Sequence, residues 1–255
     1  MSKTESMQSV GREEFVRERF VPTVVYVREG KGFHTRLCVY NYFSELFPDF
    51  RTGATVYVWF FTQSGKLAGT REFHLPYRGQ LQYDLAELKE DLEGTAGLSM
   101  VPDTIPQFRA RRAGTGYYVF YYDDAGHADF SHEWEPMRFE RMQSEPWLCV
   151  IRPLLFPDTE LIVMSAYYGM DEVEGSAEWT VRIRDSQGTI LAERKMTPIP
   201  PRGSVRLPLH AIFPDVSAIA RQAGTIGIEA VGSNIQGPFT FIRSRSGDFN
   251  IHHFC

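Results

Sequence analysis

The chain has 255 residues, of which 43% are hydrophobic and 14% aromatic, enough to fill one large or two ordinary cores. Its net charge of −5 argues against sequence-independent nucleic-acid binding, which needs a surplus of Lys and Arg to neutralise phosphates. No apolar run approaches the ~20 residues that cross a bilayer, so neither a nucleic acid nor a membrane is expected as partner.

Residues 1–20 are polar and charged and are expected to be disordered or, over 13–20, briefly helical. The start lacks the apolar stretch of a signal peptide. Cys38, Cys149 and Cys255 cannot all pair within one chain and show no CxxC spacing; Cys38 and Cys149 read as small buried hydrophobes. A cytoplasmic protein with reduced thiols follows as the expectation.

The next segment, 21–134, reads as a first lobe of short strands over 21–28, 37–43, 54–62, 67–75, 80–85, 97–101, 117–122 and 127–134. Gln63-Ser64-Gly65-Lys66 supplies a hairpin turn in which glycine takes the positive φ, and Pro76-Tyr77-Arg78-Gly79 supplies the next turn. Residues 80–85 alternate polar and apolar with period two. Leu88 and Leu92, four apart, suggest a helical turn over 86–92. Residues 44–53 and 102–116 read as loops, the second carrying the basic cluster Arg109-Ala110-Arg111-Arg112.

Two prolines and several charges mark 135–146 as a linker. Residues 147–255 then repeat the order of strands, with a short helix near 217–221 entered through Pro214-Asp215 and capped by Asp215 or Ser217. The repeat is legible in landmarks. Gly65 to Gly188 is 188 − 65 = 123 residues; the same subtraction gives 124 for Gly79 and Gly203, and 121 for Gly126 and Gly247 and for His132 and His253. Thr95-Ala96-Gly97-Leu98 pairs with Thr225-Ile226-Gly227-Ile228 at 130. Landmarks in one order predict an all-β chain of two tandem, internally duplicated antiparallel β-sandwich lobes, jelly-roll or Ig-like, with short helical turns. A strand leading through a proline-containing turn into an alternating strand and a leucine resembles small bacterial β-sandwich modules such as the sensory rhodopsin transducer family. The resemblance rests on turn residues in part of each lobe.

Nothing in the chain has the spacing of a catalytic motif: GxSxG, GxGxxG and the Walker loop are absent, and no catalytic residue is assigned. Histidines gather near the ends of both lobes, His127 and His132 with Glu133 in the first, His252 and His253 in the second. Imidazole and carboxylate groups suit a divalent metal, but alternate residues on a strand share a face, so His127 and His132 diverge, as do His252 and His253. They form a metal site only if the two lobe ends converge, which is the alternative reading of a metal-dependent enzyme. Otherwise no cofactor is expected.

Aromatic strands point elsewhere. Tyr117, Tyr118, Tyr121 and Tyr122, with Phe120 between them, alternate faces along one strand, and Trp59 and Phe61 do so along another. One face of each must be core; contiguous aromatics on the other mark an interaction surface, unless the lobes pack on each other through it. The expected role is a non-enzymatic binding or assembly protein that takes a protein partner or self-associates, with a carbohydrate or small ligand as a variant. What distinguishes the lobes lies in the loops 44–53, 102–116 and 169–176 and in the aromatic strand.

Overall fold

The structure, a computed structural model, describes residues 22–104, 116–131, 135–136, 144–165, 167, 175–243 and 249–254. The expectations for residues 1–20, for Arg109–Arg112 and for most of the 102–116 and 169–176 loops lie outside the described residues.

Lobe one contains β1 (Thr23–Glu29), β2 (Phe33–Tyr40), β3 (Ala54–Thr62), β4 (Leu67–Leu75), β5 (Gln80–Asp84), β6 (Leu92–Pro102), β7 (Gly116–Asp123), β8 (Ala128–Ser131) and the two-residue β9 (Glu135–Pro136). Sheet I runs β4-β3-β6-β1-β9 and sheet II runs β5-β2-β7-β8. Lobe two contains β10 (Glu145–Ile151), β11 (Asp158–Ser165), β12 (Trp179–Arg184), β13 (Ile190–Lys195), β14 (Ser204–Pro208), β15 (Ile226–Gly232), β16 (Ile235–Arg243) and β17 (Phe249–His253). Sheet III runs β13-β12-β15-β10 and sheet IV runs β14-β11-β16-β17. With β10 in the place of β1, and each later strand in turn, sheet III repeats the first four strands of sheet I, and sheet IV repeats sheet II. All the pairings are antiparallel.

The repeat extends to backbone detail. The β3–β4 ladder bulges between Phe60 and Phe61, the β12–β13 ladder between Ile183 and Arg184, 123 residues on in each case (183 − 60 and 184 − 61). Gly65 (φ 76°) and Gly188 (φ 81°) take the left-handed conformation that these turns require. In the next turn the Gly79 N–H donates to the Pro76 carbonyl at 2.8 Å, and the Gly203 N–H to the Pro200 carbonyl at 2.9 Å. One landmark shifts. Phe61 faces Thr95 and Arg184 faces Gly227, so Gly227 is the counterpart of Thr95 (227 − 95 = 132) rather than of Gly97.

Other boundaries also move. Strand β6 begins at Leu92, not at residue 97, because Gly94 lets it pass close to β3: a Cβ there would lie 1.9 Å from the Phe61 carbonyl oxygen. The helical turn before it is a 3₁₀ turn over Leu85–Leu88, and α1 (Phe43–Leu46) starts at the end of the strand expected over 37–43 and runs into the 44–53 loop. Lobe two carries α2 (Leu209–Ile212) and α3 (Val216–Ala223); Asp215 stands at the N-cap of α3 without a side-chain capping bond. Within the expected linker, Glu135–Pro136 pairs with β1 and Glu145–Pro146 already belongs to β10. Among the described residues no helix is long and apolar enough to cross a membrane.

Each sandwich has its own core, and the two meet. Val25, Val27, Val58 and Phe60 of sheet I face Leu37, Val39, Tyr117 and Val119 of sheet II, all buried. In lobe two, Val181, Ile183 and Ile228 face Leu161 and Val163, closed at one end by Leu209, Ile212 and Val216. Strand β11 is buried on both faces: Leu161 and Val163 serve lobe two, while Ile162 and Met164 join the lobe-one cluster with Phe239, Phe241 and Ile251. Sheet IV therefore lies across β1 of lobe one, and its β17 reaches β8, where the Ile251 N–H donates to Asp129 at 2.7 Å. Burying each large apolar side chain there contributes about 1.5–3 kcal/mol, so the seam is a hydrophobic interface rather than a loose contact.

Candidate functional site

The six aromatics singled out in the sequence divide by strand parity. Tyr117 and Tyr121 point between sheets I and II and are buried; the Tyr121 hydroxyl donates to the Tyr26 carbonyl at 2.8 Å. Trp59 and Phe61 point to the outer face of sheet I and are buried as well. The Arg202 guanidinium of lobe two lies 5.7 Å from the Phe61 ring centroid, and the adjoining Thr95 hydroxyl donates to the Arg202 carbonyl. On this side the aromatic face is consumed by the seam between the lobes.

Tyr118 and Tyr122 sit on the outer face of sheet II. The antiparallel register puts Tyr118 beside Cys38, and Phe120 between Arg36 and Phe130. Ring centroids are 5.8 Å apart for Tyr118 and Phe130, 5.5 Å for Phe120 and Phe130, and 5.7 Å for Tyr40 and Tyr42. Tyr118 is 42% and Phe130 45% exposed, and Tyr40 and Phe120 are half-buried. Cys38, expected in the core, belongs to this half-buried face because β2 alternates strictly, with Leu37 and Val39 inside. Cross-strand aromatic pairs of this kind hold each other rigid, which lowers the entropy lost when a partner covers them.

Polar groups close one end of the face. Arg36 pairs with Asp84 (Nε to Oδ1, 2.8 Å), and the Tyr122 hydroxyl donates to the same oxygen at 3.0 Å. The Arg36 pairing holds the Asp84 carboxyl below its usual range. His34 lies between two acids, Nδ1 2.7 Å from Glu29 and Nε2 2.8 Å from Asp124. Hydrogen bonds to Asp124 and then to Glu29 raise its pKa above the ordinary 6.5. The sequence does not reveal this triad, whose members stand in three separate segments.

The terminal strands of the two lobes meet, the Ile251 N–H of β17 donating to the Asp129 carboxylate of β8 at 2.7 Å. His127 bonds Asp123 through one ring nitrogen, Nδ1 to Oδ2 at 3.1 Å, in the β7–β8 turn. His252 and His253 lie on β17, paired with Thr240 and Phe239. His132 and Glu133 lie outside the described residues. No group of three or more His, Cys, Asp or Glu side chains among the described residues has a metal-binding arrangement.

A cleft of ≈ 260 Å³ opens at the seam, floored by Phe33 and Phe241 and walled by Arg28, Arg206, Arg243 and Glu160. Its charges brace the lobes. Arg206 pairs with Glu93 at 2.7 Å and with Glu160, and Arg243 with Asp123 at 3.1 Å. Arg28 lies 4.5 Å over the Phe33 ring. Arg206 and Arg243 are thereby engaged in cross-links between the lobes, while Arg28, Asp158 and His210 also line the cleft.

No family model matches the chain, and no curated protein does. Among solved structures, it is similar over 85% of its length to a peptide-N(4)-(N-acetyl-β-D-glucosaminyl) asparagine amidase, covering 99% of that chain at 11% identity and a TM-score of 0.22. It is similar over 92% of its length to 25% of a Streptomyces avermitilis α-L-rhamnosidase complexed with L-rhamnose, at 9% identity and a TM-score of 0.21. Likenesses at these scores carry no functional argument.

Proposed function

We propose that the chain is a non-enzymatic binding and assembly protein that takes a protein partner on the outer face of sheet II, through Tyr40, Tyr118, Phe120 and Phe130. One observation carries this reading. The counterpart face in the other lobe, on sheet IV, already serves as a protein-docking face, for it is the face buried against lobe one. Exposed aromatics on a flat, regular sheet also suit a protein surface, since Tyr and Phe supply large contact area at low entropic cost.

Photo-cross-linking tests the reading. p-Benzoylphenylalanine at Tyr118 or Phe130 is expected to give a discrete protein adduct, while the same probe at exposed Glu72 on β4 gives none. Equal labelling from all three sites, or none from any, contradicts it. An adduct with a glycan in place of a protein supports the carbohydrate variant. The metal-dependent alternative draws less support, because no group of three or more potential ligand side chains gathers among the described residues.

A further inference from the structure

Resting on that reading, we infer that the partner of the aromatic face is a second copy of this chain, docked head to tail: sheet II of one copy lies across the β10 edge of lobe two in the next. The repeat carries this inference. Within one chain, Tyr26 on β1 meets Phe239 and Phe241 edge-on, with ring centroids 5.8 and 5.9 Å apart, and Ile251 joins the same cluster. The ladders pair Val119 with Ser131 in lobe one and Thr240 with His252 in lobe two, each residue 121 on (240 − 119 and 252 − 131). Phe239, Phe241 and Ile251 are therefore the counterparts of Tyr118, Phe120 and Phe130. On the other side, Tyr26 pairs with Thr95 and Val150 pairs with Gly227, so Val150 is the counterpart of Tyr26.

Each half of the internal contact thus has a counterpart on the outside of the chain. Phe130 and Tyr118 are exposed at one end, and Val150 (58% exposed) and Leu148 (42%) at the other. These two sets belong to different lobes and both stay exposed within one chain, so a second copy joins them. A backbone feature fits the same pairing. Inside the chain, the Gly65 hairpin presses on the Pro200–Gly203 turn, and a Cβ on Gly65 would lie 2.0 Å from the Pro201 carbonyl oxygen. Its counterpart Gly188 has nothing within 4 Å, and the counterpart of that turn is Pro76–Gly79, at the end of the sheet II face. The next copy's turn fills the open space at Gly188.

The external contact is weaker than the internal one. The cross-seam pair Glu93–Arg206 is represented by Thr225 and Gln82 (225 − 93 = 132; 206 − 82 = 124), so its charge pairing is absent. Association is accordingly reversible and concentration-dependent. Such a heterologous contact closes into a ring or continues as a filament, according to its rotation.

Complementation between face variants tests this. In sedimentation velocity over a concentration series, the wild type is expected to grow in size. Phe130→Glu and Val150→Glu, both at exposed positions, are each expected to weaken association about tenfold or more while keeping the wild-type melting temperature. Mixed one to one, the two variants are expected to form a defined heterodimer, since each retains the face that the other lacks. A wild type that stays monomeric at every concentration overturns the inference. So does a Val150→Glu variant that associates as wild type, which indicates sheet II pairing with itself. In either case, a cross-link from Tyr118 to a different protein leaves the binding face standing, and absence of any adduct removes both.

Discussion

The Arg206 guanidinium of lobe two lies 2.7 Å from the Glu93 carboxylate of lobe one, and the Tyr26 hydroxyl donates to that same carboxylate at 2.8 Å. Burial would raise the Glu93 pKa, but the hydrogen bonds from Arg206 and Tyr26 outweigh it and hold the carboxyl below its usual range. The cluster binds sheet I to sheet IV at one end of an otherwise aromatic seam. Arg206→Met removes the cation and leaves Glu93 and Glu160 facing each other half-buried. We expect a loss of about 2–3 kcal/mol in urea unfolding, at the low end for a broken buried pair because the groups are partly solvated.

Asp123 gives acid unfolding a defined window. It accepts from the His127 ring, from the backbone of Ala125 and His127, and from Arg243 across the seam. Burial opposes its ionisation, yet the bonds from His127 and Arg243 prevail and hold it at about 2, against an ordinary 3.8. A depressed carboxyl stabilises the fold above its unfolded pKa and loses that contribution as pH falls through the folded one. The wild type should therefore lose stability between pH 3.8 and about 2, and Asp123→Asn, weaker at neutral pH, should lose less over that window. Thermal melts of both proteins across the range check this.

His34 acts in the opposite direction. Its folded pKa is raised above 6.5, so its contribution is complete below that value and disappears as pH rises through the folded pKa. Melting temperatures taken from pH 6 to 9 should fall more for the wild type than for His34→Gln. Parallel curves would remove the Glu29–His34–Asp124 bridge from the account.

Gly65 and Gly188 separate strain from crowding. Both hold positive φ, and a Cβ costs about 1–2 kcal/mol there on conformational grounds alone. Gly188→Ala should cost no more than that in the dilute monomer. Gly65→Ala also drives a methyl into the Pro201 carbonyl, and a loss of about 3 kcal/mol or more is expected from equilibrium unfolding.

These contrasts mark how far residue order reaches. The hairpin at Gly65 and its copy at Gly188 are legible because positive φ demands particular residues, and the offset of 123 holds down to the bulge. The β6–β15 match slips by two because Gly97 and Gly227 are small strand residues whose alternation looks the same after a shift of two. Alternation also predicts that Tyr117 and Tyr121 turn one way and Tyr118 and Tyr122 the other. It gives no means to tell that the outer face at Phe61 is covered while that at Tyr118 is open, since the cover on Phe61 comes from Arg202, about 140 residues away (202 − 61 = 141). The His34 contact with Asp124, 90 residues on, is invisible for the same reason.

Hydroxyl-radical footprinting of dilute and concentrated protein, at matched radical dose, tests the central claim most directly. Docking through the aromatic face predicts that Tyr118 and Phe130 lose reactivity on concentration together with Leu148 at the other end of the chain. Unchanged reactivity at Tyr118 and Phe130, while the protein nonetheless grows in size, would contradict it.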